Sequence, residues 1–109
     1  MGCAWQGAGG KVLGMDGQEA TTRYQVRVRS ADAGFEGIAQ TGSNSFYGLM
    51  SGWEIPIATT ISAGTYYVRL ETTFGTALSD YFPFTFPGDC GQNLARVQFI
   101  QTSPIGSSQ

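Results

Sequence analysis

Along most of the chain apolar and polar residues alternate in short segments set between clusters of Gly, Ser, Asn and Asp, the period-two signature of strands buried on one face. From Tyr24 to Arg29 this predicts Tyr24, Val26 and Val28 inside, with Gln25, Arg27 and Arg29 in water. From Tyr66 to Glu71 the inward set is Tyr66, Val68 and Leu70, leaving Tyr67, Arg69 and Glu71 outside. Trp53, Ile55 and Ile57 line one face of a third strand, and Phe82, Phe84 and Phe86 one face of a fourth. Pro83, on the opposite face of that fourth strand, has no N–H to give a ladder and so predicts a sheet edge. Leu94 to Gln101 turns Val97 and Phe99 inward and Arg96 and Gln98 outward, and weaker strands are predicted around Lys11 to Leu13 and Phe35 to Gln40. The expected core is Val26, Val28, Trp53, Ile55, Tyr66, Val68, Leu70, Phe82, Phe84, Val97 and Phe99.

Seven short strands with no segment of helical period predict an all-β fold, a single antiparallel β-sandwich of Ig-like or prealbumin-like type. Met15-Asp16-Gly17-Gln18 supplies an Asp-Gly turn, and Ser62-Ala63-Gly64 a second turn ahead of a strand. Composition agrees, because 16 Gly, 11 Thr and 9 Ser make up about a third of the 109 residues while the strong helix formers are thin. A chain of that length holds one core. The pattern places it at residues 1–101, and the polar run 102–109, with Pro104 and Gly106-Ser107-Ser108, reads as a flexible tail.

The charged residues are few, 13% against roughly 25% in average soluble proteins, and their balance removes whole classes of function. Six basic residues in a chain of net charge −2 leave no electrostatic footprint for nucleic acid. With no histidine, Ser/His/Asp and Cys/His catalysis and histidine-ligated zinc are excluded. No apolar run reaches the roughly 18 residues that span a bilayer, so membrane insertion is not expected. The N-terminus has neither the charged nor the apolar region of a signal peptide, and Met1 reads as a start codon placed on an excised fragment.

Cys3 and Cys90 sit just before the first and the last strand. In a sandwich those two positions can lie at the same end, so a disulfide between them is geometrically reasonable, and it would imply an oxidising, extracellular compartment. Two buried free thiols are the alternative. A metal pair lacks a third and fourth soft ligand.

Gly10-Lys11-Val12-Leu13-Gly14-Met15-Asp16-Gly17-Gln18 resembles the opening GxVxDxxGxP of carboxypeptidase-regulatory-like domains, which are prealbumin-type sandwiches, and Ala63-Gly64-Thr65-Tyr66-Tyr67-Val68 is similar to their PGTYxV strand. Cys3-Ala4-Trp5, Gly52-Trp53-Glu54-Ile55 and the run from Asp89 to Phe99 resemble a subset of these domains found at the C-terminal ends of large bacterial cell-surface proteins. The resemblance covers residues 3–101. It departs at Gly14, where the pattern prefers Asp, and at Glu19 or Ala20, where it prefers Pro. It implies an extracellular, non-catalytic domain and carries no catalytic residues across.

The carboxylates give no competing chemistry. Asp16, Asp32, Asp80 and Asp89 fall in turns, and Glu36, Glu54 and Glu71 on polar strand phases, which reads as solvated surface rather than a glycosidase pair. Calcium on Asp16, Asp80 or Asp89 lacks any regular ligand ladder, and no cofactor is expected. Lys11 in the first strand and Asn93 at the start of the last, with Glu54 between, are the residue types that pilin-type adhesin domains join by an isopeptide bond, although Lys11 lies on the solvent phase opposite Val12.

What remains is aromatic and apolar surface that folding does not demand. Tyr67 and Tyr81 fall on outward phases, and the loop Gly42 to Gly52 carries Phe46, Tyr47, Leu49 and Met50. The expected binding residues are Phe46, Tyr47, Leu49, Met50 and Tyr67. The expected partner is a protein or a second copy of the chain, in a structural or adhesive role; the alternative is carbohydrate stacked on the exposed aromatics.

Overall fold

An alternating strand can bury its apolar phase only against a second layer, and here two sheets supply it. The structure, a computed structural model, describes residues 2–102. Its strands are β1 (Gln6–Leu13), β2 (Gln25–Ser30), β3 (Glu36–Gln40), β4 (Trp53–Ala58), β5 (Ala63–Glu71), β6 (Phe82–Pro87) and β7 (Leu94–Ile100), with 3-10 turns at Gly2–Ala4 and Cys90–Gln92 just ahead of β1 and β7. One sheet has the order β4-β1-β7 and the other β3-β2-β5-β6. Of the predicted tail 102–109, residues 103–109 lie outside the described residues.

Between the sheets meet Ala8 and Val12 of β1, Val26 and Val28 of β2, Trp53 and Ile55 of β4, and Val68 and Leu70 of β5. Tyr66, Phe84, Val97 and Phe99 are partly buried against them. Fully burying each large side chain contributes roughly 1.5–3 kcal/mol, so these strands are held by the period-two phase read from the sequence. The Asp-Gly turn also forms, closed by the Gly17 amide on the Gly14 carbonyl and by the Gln18 amide on Asp16 Oδ1. β6 is a sheet edge, as Pro83 requires.

Other expectations change. β1 starts at Gln6 rather than near Lys11, because Gly7, Gly9 and Gly10 have no side chains with which to display an alternation. The sandwich is not wholly antiparallel: β7 runs parallel to β1, with Gly7 opposite Leu94 and Leu13 opposite Ile100. The cause lies at the shared end. Cys3 and Cys90 are bonded with their Cα atoms 5.0 Å apart, so the chain enters β1 and β7 from one point and both strands leave it in the same direction.

Phe82 is 62% exposed rather than buried, and Phe86, at 1%, fills the aromatic position at the other end of β6. Three strands cannot cover four. With β3 facing β4, the overhang falls on β6 and uncovers Phe82. Glu71 is fully buried and Gln25 nearly so, although both occupy outward phases, because the long side chains of Arg27 and Arg69 fold over them.

Candidate functional site

The loop between β3 and β4 is built as a closed unit. Its base is shut by the Gly42 and Asn44 amides, which both donate to the Gly52 carbonyl, and its interior by the Gly52 amide on the Gly48 carbonyl and the Phe46 amide on Asn44 Oδ1. At its end Ser51 is buried, its hydroxyl accepting from the Val12 amide at 3.0 Å. Glu19, arriving from the far side of the Asp-Gly turn, accepts from the Met50 amide at 3.1 Å and the Ser51 amide at 3.0 Å. Burial raises the Glu19 carboxyl, but these two amides and the Ser51 hydroxyl outweigh it and hold the group below its ordinary value.

Tyr47 is the loop's anchor, not its contact tip. Across the outer face of the three-stranded sheet the register aligns Glu54 of β4, Gly9 of β1 and Arg96 of β7. The Tyr47 ring lies on Gly9 so closely that a Cβ there would stand 2.5 Å from the phenol carbon. Its hydroxyl donates to Glu54 Oε1 at 2.8 Å, and the Arg96 guanidinium lies 5.4 Å from the ring centre. Burial first, and then the Glu54 carboxylate, push the phenol above its ordinary value, so it is a fixed donor at neutral pH. The expectation that Tyr47 offers an exposed face is therefore corrected: it is 5% exposed. Phe46, Leu49 and Met50 do project, at 76%, 81% and 53% exposure, with Phe46 edge-on to Tyr47.

Tyr67 is half-buried on the opposite side of the molecule, on the outer face of the four-stranded sheet, in register with Arg29 and Pro83. The fold does not bring it together with the loop. Its neighbourhood is one that sequence reading missed. The Tyr81 ring has the Arg29 guanidinium carbon 4.4 Å and that of Arg69 4.6 Å from its centre. Beside it, Glu71 accepts from Arg69 Nε at 2.6 Å, Arg27 Nε at 2.7 Å and Gln25 Nε2 at 2.7 Å, and Arg27 also pairs with Glu36. The available signal was three arginines, 27, 29 and 69, on outward phases of two strands.

The remaining candidates separate. Among the described residues no three carboxylates, thiols or imidazoles gather as a metal site. Asp16 and Asp89 each accept an amide of their own turn. Lys11 lies opposite Gln98, five positions from Asn93 and so roughly 16 Å along the strand, out of reach of an isopeptide bond. Asn93 Nδ2 instead donates to the Trp5 carbonyl. Compared with family models, curated proteins and solved structures, the chain matches none.

Proposed function

We propose that this chain is a non-catalytic β-sandwich module of prealbumin type that works by contact, as a structural, adhesive or self-associating part of a bacterial cell-surface protein. The observation that carries this reading is the loop at 42–52. Three large apolar side chains are held in water on a backbone anchored to the sheet through Tyr47, Ser51 and Glu19. Anchored, exposed apolar surface is the ordinary mark of a contact site. The Cys3–Cys90 bond supports an oxidising compartment, and the resemblance over residues 3–101 supports a cell-surface parent.

Replacing Phe46, Leu49 and Met50 with Ser tests the reading. Thermal unfolding should stay unchanged within the small range of surface substitutions, about 0.5 kcal/mol each, while adhesion of the purified domain to a partner protein weakens. Unfolding that drops with the substitutions would show that the loop belongs to the core.

A second reading is favoured by a separate observation, the pairing of Tyr81 with Arg29 and Arg69 beside Tyr67. Aromatic faces stack on sugar rings, and guanidinium groups take their hydroxyl or acid substituents. A glycan array distinguishes the two: retention of a sugar that is lost in Tyr67→Ala and Tyr81→Ala supports carbohydrate binding, and no retention leaves the contact reading alone.

A further inference from the structure

Among the described residues the three-on-four layering leaves one flank of the sandwich open. Between the edge strands β6 and β7 runs a groove of about 450 Å³ whose apolar lining is Phe82, Phe84, Ala95, Val97 and Phe99, with Asp80 and Arg96 among the polar residues beside it. The four edge strands are not equally protected. β4 carries Pro56, β6 carries Pro83 and Pro87, and β3 has only five residues, one of them Gly37. β7 has no proline, glycine or lysine, and its register with β1 runs without a bulge over all seven residues. Prolines, charged side chains, bulges and shortness are the usual devices that stop an edge from pairing, and of these β7 carries only the single charge of Arg96.

Its hydrogen-bonding groups are divided by the parallel ladder. The Asn93 carbonyl accepts from Gly7 and the Gln101 amide donates to Leu13, so the odd-numbered residues of β7 bond to β1. The amides of Leu94, Arg96, Gln98 and Ile100 therefore face the open side. The residues of this edge are also self-complementary. Laid antiparallel on itself about Val97, the strand sets Val97 against Val97, Ala95 against Phe99 and Leu94 against Ile100, with Arg96 opposite Gln98. Every pair on the groove face is apolar, and the one charge on the strand meets an amide rather than its own kind.

We propose that β7 is an isologous pairing edge whose partner is the β7 of a second copy of this chain, centred on Val97. The two three-stranded sheets then become one six-stranded sheet. Directly opposed residues share a face, so both apolar grooves lie on the same side of it and close on each other, covering Phe82 and Phe84. This rests on the contact-module reading above and assigns self-association to the strand edge, leaving the loop as the surface for a different partner.

Sedimentation equilibrium of the full chain over a concentration series, with amide exchange read by NMR at both ends of that series, tests the pairing. A reversible monomer–dimer equilibrium is expected, with exchange at the Arg96 and Gln98 amides slowed about tenfold or more at high concentration. Gln98→Pro removes an outward amide and leaves the ladder to β1 intact, so it should yield a folded monomer. The triple Ser variant of Phe46, Leu49 and Met50 should dimerise as the parent does. A dimer that persists in Gln98→Pro, with Arg96 and Gln98 exchange independent of concentration, overturns the β7 interface and leaves self-association standing through another surface. A chain that stays monomeric at millimolar concentration overturns both. Should Gln98→Pro fail to fold, the exchange of those two amides in the parent chain decides alone.

Discussion

Glu71 has no exposed side-chain surface, yet it is charged, because three donors surround it. Burial raises its carboxyl, and the hydrogen bonds from Arg27, Arg69 and Gln25 together with the Arg27 charge outweigh that and hold it below the ordinary 4.5. A carboxyl lowered by folding adds stability in full above its unfolded value and loses it as pH falls through the folded one. Glu71→Gln should therefore cost about 1–3 kcal/mol at neutral pH, since both arginines keep partial access to water, and the gap between variant and parent should close as pH falls below about 4. Urea unfolding of both proteins across that range measures it. A gap that persists unchanged in acid would mean that shape, not charge, sets the contribution of this residue. None of this was legible in the alternation, which places Glu71 in water. Period two reports which side of a strand a residue leaves from, not whether a neighbour's side chain later covers it.

The loop at 42–52 was legible as an element through its Gly content and apolar tip, but the division of labour inside it was not. Whether Tyr47 is anchor or tip depends on Gly9, nearly forty residues away, whose missing side chain makes the flat seat on which the ring rests. Gly9→Val should unseat the ring and separate Tyr47 from Glu54. A cost of about 1–3 kcal/mol is expected from the forced shift, with the sheet intact and the loop newly open to limited proteolysis. If proteolysis of the loop is unchanged in a folded Gly9→Val protein, the ring does not need that seat. β6 gives the reverse case. Pro83 correctly marked an edge, while the same strand's inward phase overstated the burial of Phe82, because phase cannot say how many strands lie overhead.

At the scale of the whole molecule the Cys3–Cys90 bond does two things. It closes most of the chain into one loop, which in the chain-entropy model contributes about 4 kcal/mol, and it joins the entrances of β1 and β7 so that these strands run parallel. Native, unreduced protein should take up no alkylating reagent, and reduction should raise its mass by about 2 Da and lower its unfolding midpoint in guanidinium chloride. Two alkylated thiols in the unreduced protein would contradict the bond.

The amino-acid sequence by itself determined the all-β class, the phase of the central strands and the identity of Val26, Val28, Trp53, Ile55, Val68 and Leu70 as core, because these follow from a period of two that each strand carries locally. It also determined where the apolar loop lies and that Cys3 and Cys90 stand before the first and last strands. Only the tertiary structure decided that β7 is parallel to β1, that Tyr47 is seated on Gly9, that Glu71 is buried under arginines and that Phe82 is left uncovered. Each of these depends on which strands become neighbours and how many stack on each side. That is a property of pairing between residues distant in the chain, and an alternation of polar and apolar side chains, read locally, holds no record of it.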